Sequence, residues 1–341
     1  MLRPGAKNSI TDVPGLNAGQ CHDATLRSGV TVILPDRPVR GAVDIRGGGP
    51  GTRETDTMTE GGVASEIHAV VLSGGSAFGL EAATGVQAFL RERGIGFAVG
   101  PVCVPIVPQA ILFDLLNGGN KDWGRYPPYR EMAYVACGNA AADVALGTAG
   151  AGYGAAVAWR EPGLYLMGGT GSASLVLESG ITVGALAAVN AVGTVTIGAT
   201  PHFWAAPLEI GSEFGGRGWP QSMPEDAQKP ILKGAARENT TLAVVATDAA
   251  LSRSELKRLA VMAQTGMARA IYPAHTPLDG DIVFALSTGE RTLENPVWGL
   301  AELGALAANT LARAIARGVY EAGRGAGASN FPSYREAFPR G

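Results

Sequence analysis

The chain has 341 residues, 46% of them apolar, with a formal net charge of −3 and a sequence pI near 5.9. That is ample apolar material for a substantial core in one large domain or two, and Lys and Arg are scattered without a basic run, which argues against nucleic acid and anionic membranes as partners. Cys21, Cys103 and Cys137 are far apart, odd in number and in no CxxC pair, so neither a disulfide framework nor a zinc site is expected.

No apolar h-region follows the opening Met-Leu-Arg-Pro-Gly-Ala-Lys, so a cytoplasmic protein without a secretory signal is expected. Short β-branched or apolar runs bounded by Gly, Pro, Asn or Asp predict strands at 31–34, 69–72, 96–99, 183–189, 194–197, 242–247 and 282–286. Several are apolar on both faces, which requires cover on both sides. The helices to supply that cover are predicted at 79–93, ending at Gly94 after a basic last turn, and from Ser252, where Ser252 and Glu255 form a capping box ahead of Leu256, Leu259, Ala260, Ala263 and Met267. A last helix over about 297–324 puts Leu300, Leu303, Ala307, Leu311 and Ile315 on one stripe. With 49 glycines and 6% aromatics, the core has to be made of small side chains in close layers, which suits stacked sheets and helices. The apolar stretch 181–198 is interrupted by Gly184, Asn190 and Gly193, so it predicts paired strands and not a membrane span.

One segment breaks this rhythm. Residues 201–239 carry Pro201, Pro207, Pro220, Pro224 and Pro230 with Gly211, Gly215, Gly216 and Gly218 and almost no apolar period, and a loop this long inside a compact domain is usually functional or disordered. It delivers the chain to Glu238-Asn239-Thr240-Thr241, where the apolar run 242–246 begins. Read blindly, Asn-Thr-Thr is a turn into a strand. A backbone cut before Thr240 changes its chemistry, because the residue then carries a hydroxyl and an α-amine whose pKa of about 7.7–8.0 lets it accept the hydroxyl proton near neutrality.

Seven motifs occur in a set order: Asn8-Ser9-Ile10-Thr11-Asp12-Val13-Pro14-Gly15, Asp44-Ile45-Arg46-Gly47-Gly48, Leu72-Ser73-Gly74-Gly75-Ser76-Ala77-Phe78-Gly79-Leu80, Val104-Pro105-Ile106-Val107-Pro108 with Phe113-Asp114, Gly169-Thr170-Gly171-Ser172-Ala173-Ser174, Val189-Asn190-Ala191-Val192-Gly193 and Asn239-Thr240-Thr241. In that order they resemble the P1 (DmpA-like, S58-type) peptidase family, which includes L-aminopeptidase/D-esterases, β-peptidyl aminopeptidases and 6-aminohexanoate-oligomer (nylon) hydrolases. The resemblance spans nearly the whole chain.

What it implies is concrete. The fold is expected to be α/β, a four-layer αββα sandwich made as one catalytic domain over 1–341 and self-cleaved into 1–239 and 240–341, with 201–239 as the linker loop leading to the cut. The fragments are expected to stay together as an α/β heterodimer in a homo-oligomer, a tetramer of heterodimers. The function implied is an N-terminal-threonine amidohydrolase or aminopeptidase acting on short peptides, amino-acid amides or ω-amino-acid oligomers, with no cofactor and no metal. Thr240 is the expected nucleophile, Asn190 the oxyanion donor, and Asp279 and Asp281 the carboxylates that orient it. Backbone N–H groups around Gly74, Gly75 and Ser76 are candidates for the same pocket, though a plain strand-to-helix turn explains them equally. Asn190-Ala191-Val192-Gly193 taken alone is a hairpin turn, and Asp279-Gly280-Asp281 a solvated loop tip.

Two departures bear on the substrate. Many relatives have a Lys after Gly-Ala-Gly-x-Gly, where Gly150-Ala151-Gly152-Tyr153-Gly154 here runs on to Trp159 and Arg160; Trp159 takes the Lys position and Arg160 substitutes in part. Phe113 stands where some members have Tyr, so that hydroxyl is missing. His22, His68, His202 and His275 form no metal-binding spacing, and Gly47-Gly48-Gly49-Pro50-Gly51 lacks the Lys-Ser/Thr of a phosphate loop and predicts a tight turn. Phe203, Trp204, Phe214 and Trp219 are expected to be packing anchors of the loop. The alternatives are an ornithine-acetyltransferase-like N-acyltransferase and a non-catalytic small-molecule-binding protein.

Overall fold

A computed structural model describes residues 2–234, 239–323 and 330–339. In chain order its strands are β1 (Leu16–Asp23), β2 (Ser28–Pro35), β3 (Arg40–Ile45), β4 (Gly51–Arg53), β5 (Val70–Ser73), β6 (Phe97–Val99), β7 (Val102–Val104), β8 (Gln109–Ile111), β9 (Ala156–Trp159), β10 (Glu161–Met167), β11 (Gly169–Val176), β12 (Thr182–Asn190), β13 (Thr240–Ala249) and β14 (Ile282–Arg291). The helices are α1 (Ala82–Arg91), α2 (Tyr129–Gly138), α3 (Arg253–Ala270), α4 (Pro296–Tyr320) and α5 (Tyr334–Ala337).

Ten of the strands build two five-stranded sheets, ordered β1-β2-β5-β8-β4 and β11-β12-β13-β14-β3. Alternation along each strand sorts the core into three layers, because successive side chains point to opposite faces. Leu242, Val244 and Ala246 of β13 meet Ile33, Val70 and Leu72 of the other sheet, while Ala243 and Val245 face a second layer with Leu259, Ala263, Leu311 and Ile315 of α3 and α4. Val30, Val32 and Val71 face a third layer against Val86, Phe89 and Ala133 of α1 and α2. The order is helices, sheet, sheet, helices: the expected four-layer αββα arrangement, with both sheets apolar on both faces.

Local signals explain several boundaries. Ser252 and Glu255 form the capping box that starts α3, and Gly94 adopts φ +68° beyond α1. The first turns of the helix expected at 79–93 are instead a 3-10 segment over Ser76–Glu81, with α1 proper beginning at Ala82. The strand expected at 194–197 makes only isolated bridges, from Thr194 to Ala158 and Tyr272 and from Thr196 to Phe203. Helix α4 ends at Tyr320, and the expected end at 324 lies outside the described residues, as does Glu238. The loop from Pro201 is pinned by Phe203 and Phe214, whose rings sit 5.4 Å apart in the core layer under α4. No helix among the described residues is long and apolar enough to cross a membrane.

Candidate active site

The strand register brings distant motifs to one end of the space between the sheets. Asn190, the last residue of β12, pairs directly with Thr240, the first of β13. Side chains opposed in this way share a face at about 5 Å between Cβ atoms. On the other side β14 runs parallel to β13, pairing Leu242 with Ile282, so two residues earlier Thr240 lies beside Gly280. By alternation Thr240, Asn190 and Gly280 have the parity of Leu242, Ala188 and Ile282, which face the other sheet. Thr241 has the parity of Ala243 and Val245, which face α3 and α4. The structure thus separates the two threonines by the period of the strand.

Thr240 and Asn239 are 3% and 2% exposed. The Thr240 hydroxyl donates to the carbonyl oxygen of Asn239 at 2.5 Å, and the same oxygen accepts the Gly280 N–H at 2.8 Å. A carbonyl gripped by two donors is polarised toward the charge of a tetrahedral intermediate. Gly280 is required here for space: a Cβ at this position would lie 2.6 Å from Thr240 Oγ1 and 2.7 Å from the Gly49 carbonyl oxygen. Gly47-Gly48-Gly49 is indeed a turn and packs against this point, with the Gly49 N–H donating to Asp279 O at 2.8 Å.

Asn190 is held from three directions. Its Oδ1 accepts the Ala156 N–H at 3.0 Å and the Lys233 ammonium at 2.9 Å, while Nδ2 donates to the Phe113 carbonyl at 2.9 Å. Two donors on one atom and an acceptor on the other fix which end of the amide is which. An amide nitrogen carries two N–H groups, so one remains for a ligand oxygen.

The two aspartates brace the backbone around Thr240. Asp281 accepts the Thr241 N–H at 2.9 Å on one oxygen and, on the other, the His275 N–H at 2.8 Å with the His275 ring Nδ1 at 3.0 Å. Asp279 accepts the Val192 N–H at 3.1 Å and the Thr276 hydroxyl at 2.8 Å. Burial and then the neighbouring Asp281 charge push the Asp279 carboxyl up to about 6. A raised carboxyl pKa means the folded chain holds a proton that the unfolded chain has released. Asp279 therefore contributes stability that is present below about 3.8 and is lost as pH rises through about 6. On an uncut chain, the denaturation midpoint of the wild type is expected to fall relative to Asp279→Asn across that window; parallel pH curves for the two proteins would remove the assignment.

The remaining expected residues are placed differently. The Gly74, Gly75 and Ser76 N–H groups are taken up away from Thr240: they donate to Gly29 O at 2.9 Å, Asp114 Oδ1 at 2.8 Å and Leu112 O at 3.0 Å. They act one step removed, clamping the stretch whose Phe113 carbonyl holds Asn190. Asp114 is buried there and takes the Ser28 hydroxyl at 2.6 Å; burial raises its carboxyl pKa, against the pull of Lys121 and these hydrogen bonds. Phe113 contributes its carbonyl to Asn190 and its side to the cavity wall. Trp159 and Arg160 lie away from the site: Trp159 packs edge-on against Phe338 at 5.8 Å, and Arg160 stacks over its ring at 4.0 Å.

Three participants were not legible in the sequence. Lys233 is 3% exposed and comes from the linker loop, anchored by its N–H to Val192 O at 3.1 Å and by the Tyr165 hydroxyl to its carbonyl at 2.8 Å. Its Nζ reaches Asn190 Oδ1 at 2.9 Å from a place with no motif. His275 pairs with Asp281, and the Gly280 N–H reaches the Asn239 carbonyl; a lone His and a turn glycine carry no sequence signal of either. A cavity of about 20 Å³ remains beside Asn239, walled by Phe113, Leu116, Asn117, Phe331 and Lys233. Among the described residues no group of three or more His, Cys, Asp or Glu side chains is placed to hold a metal ion.

Comparison with known proteins gives the same direction from sequence and from shape. The family model described as Peptidase family S58 matches residues 8–331. A protein named as an uncharacterized aminopeptidase from Mycobacterium tuberculosis (strain ATCC 25618 / H37Rv) is 44% identical, over 97% of this chain and 98% of its own. A 6-aminohexanoate-oligomer endohydrolase from Kocuria sp. (strain KY2) is 30% identical over 83% of this chain and 75% of its own. A Burkholderia sp. beta-aminopeptidase superposes with a TM-score of 0.72 at 24% identity, covering 99% of this chain and 93% of that one. The L-aminopeptidase D-Ala-esterase/amidase from Ochrobactrum anthropi, described as a variant of the Ntn hydrolase fold, does so with 0.66 at 23% identity, covering 94% and 88%.

Proposed function

The chain belongs to peptidase family S58 and is an amide hydrolase, and on that premise we propose that it cuts itself between Asn239 and Thr240 and then uses the new N-terminal threonine to hydrolyse small peptide or amide substrates. The observation that carries the reading is the Asn239 carbonyl, held at once by the Thr240 hydroxyl at 2.5 Å and the Gly280 N–H at 2.8 Å. In processing, Thr240 Oγ bonds to the Asn239 carbonyl carbon and its proton passes to the Thr240 nitrogen as the C–N bond breaks. Water then opens the ester, leaving a carboxylate on Asn239 and a hydroxyl and free amine on Thr240.

In the mature protein the hydroxyl attacks a substrate carbonyl, the amine takes its proton and passes it to the leaving nitrogen, and water releases the acyl group. Asn190 Nδ2 and the Gly280 N–H are the donors for the oxyanion. Asp281, bonded to the Thr241 N–H at 2.9 Å, sets the direction in which the new ammonium faces. Lys233 holds the Asn190 amide and adds positive potential beside the charge that develops.

The topology favours fragments that stay together. Strands β13 and β14 of the 240–341 fragment lie between β12 and β3 of the 1–239 fragment, so the cut leaves ladder bonds on both sides intact. Intact-mass analysis of the purified protein under denaturing conditions is expected to give two polypeptides, one ending at Asn239 and one beginning at Thr240, that co-elute when native. A stable single chain with full amidase activity would sink the proposal.

A further inference from the structure

Asp281 is held by a residue to which the reaction gives no part. One carboxylate oxygen accepts the Thr241 N–H at 2.9 Å, and the other accepts the backbone N–H of His275 at 2.8 Å with the His275 ring Nδ1 at 3.0 Å. Each oxygen already takes a backbone N–H, so both act as acceptors, and the ring is assigned the tautomer that carries its proton on Nδ1. To aim two donors at one oxygen, His275 sits at φ +57°, in the left-handed region that few residues other than Gly, Asn, Asp and His enter. Strain of this kind persists where the surroundings over-determine it, and here both bonds to Asp281 do so.

We propose that His275 is a positioning residue for the Thr240 nucleophile, acting through Asp281. The inference rests on the self-processing reading, because the cut makes Thr240 a chain terminus. Before the cut, peptide bonds hold Thr240 on both sides. Afterwards it keeps only the planar peptide to Thr241, and its amine and Cβ turn together about the bond from Cα to that plane. The Asp281 bond to the Thr241 N–H fixes the plane. Thr241 adds no side-chain anchor of its own, since its hydroxyl makes no hydrogen bond. Asp281 can hold the plane only while its carboxylate is kept from turning. Its backbone is pinned by the Arg46 and Gly47 N–H groups, which donate to its carbonyl at 3.0 and 3.3 Å, and His275 fixes the side chain from the far oxygen. Asp279 does not share the task, because its oxygens accept from Val192 and Thr276.

Three variants separate the bond from the bulk of the ring. His275→Gly removes the ring and adopts φ +57° without strain. His275→Asn puts an amide N–H near the place of Nδ1 and also tolerates the left-handed region, whereas the longer His275→Gln puts its amide near the place of Nε2. Cutting at the Asn239–Thr240 bond is timed by gel on the full chain made by cell-free synthesis, and kcat and KM per cut chain are then measured with L-alanine p-nitroanilide. Cutting depends on no choice of substrate, so it reads the bond even where the anilide turns over slowly. The Gly variant is expected to slow both cutting and kcat by about 10–10²-fold, the range for losing a hydrogen bond to a carboxylate, with KM within about threefold of wild type. The Asn variant is expected to return both rates to within about threefold of wild type, and the Gln variant to stay with Gly. Wild-type rates in the Gly variant overturn the inference, as do a Gln variant as fast as Asn, an Asn variant as slow as Gly, or a loss confined to KM. Should the Gly variant fail to fold, the comparison of Asn with Gln decides alone, since both fill the space with the same amide. A wild-type chain that is never cut overturns the reading beneath; a wild type whose cutting needs Thr240 but is indifferent to these changes overturns this inference alone.

Discussion

Thr240→Ala is expected to leave one 341-residue chain with no amidase activity above the uncatalysed background. In the proposed mechanism the hydroxyl that grips the Asn239 carbonyl at 2.5 Å is the attacking atom in both reactions, so its loss removes processing and turnover together. The fold has little reason to suffer, because Thr240 sits at the start of β13 and the ladder from Val189–Thr241 onward is untouched. Thr240→Ser keeps the oxygen and the amine, and is expected to process and to turn over. The measurement is denaturing mass analysis followed by an anilide assay on the same sample. Efficient cutting of the Ala variant at the Asn239–Thr240 bond would transfer the nucleophile to another residue.

For Asn190 the expected loss is about 10²–10³ in both the processing rate and kcat, the usual effect of removing one oxyanion donor. Asn190→Ala removes more than a donor, since the Ala156 N–H and the Lys233 ammonium both lose their acceptor, and an unsatisfied buried group costs about 1–3 kcal/mol. Asn190→Asp separates the two effects. Its carboxylate still accepts from Ala156 and Lys233 but has no N–H to offer an oxyanion or the Phe113 carbonyl, so a folded and slow protein is expected. Wild-type rates in that variant, followed by timed gels for processing and by steady-state assay for turnover, would remove Asn190 from the reaction.

The layered fold was legible because its causes are local. Residues 242–246 and 282–286 are apolar at every position, which only a strand covered on both faces tolerates, and Ser252 with Glu255 marks the start of α3 by a hydrogen-bond pattern written in four residues. Strand 194–197 misled for the complementary reason: β-branched residues there line a turn that bridges three different segments, and no local rule says which partner a short run will find.

In the site, Asn239 and Thr240 drew attention through their place at the end of a proline-rich loop, and Asn190, Asp279 and Asp281 through the family resemblance. Gly74, Gly75 and Ser76 were read as donors because a glycine-rich strand-to-helix turn often presents free N–H groups; here a neighbouring carboxylate and two carbonyls take them. Trp159 and Arg160 were inferred from sequence position, and position along the chain does not say where a cation must come from in space.

What the sequence by itself determined are the properties set by neighbours along the chain: the small-residue layered core, the boundaries of the main helices and strands, and a threonine that a single backbone cut equips with its own base. Tertiary structure alone decided which groups meet that threonine. Pairing Asn190 with Thr240 and setting Gly280 alongside depends on the register of three strands, and a one-residue slip would turn Thr240 toward the helices and bring Thr241 to the site. Lys233 reaches Asn190 from a loop without periodicity, because anchors at Val192 and Tyr165 fold that loop back over the end of β12. Such contacts join residues tens to hundreds of positions apart, and their energies are settled by burial and by the geometry of the assembled sheets.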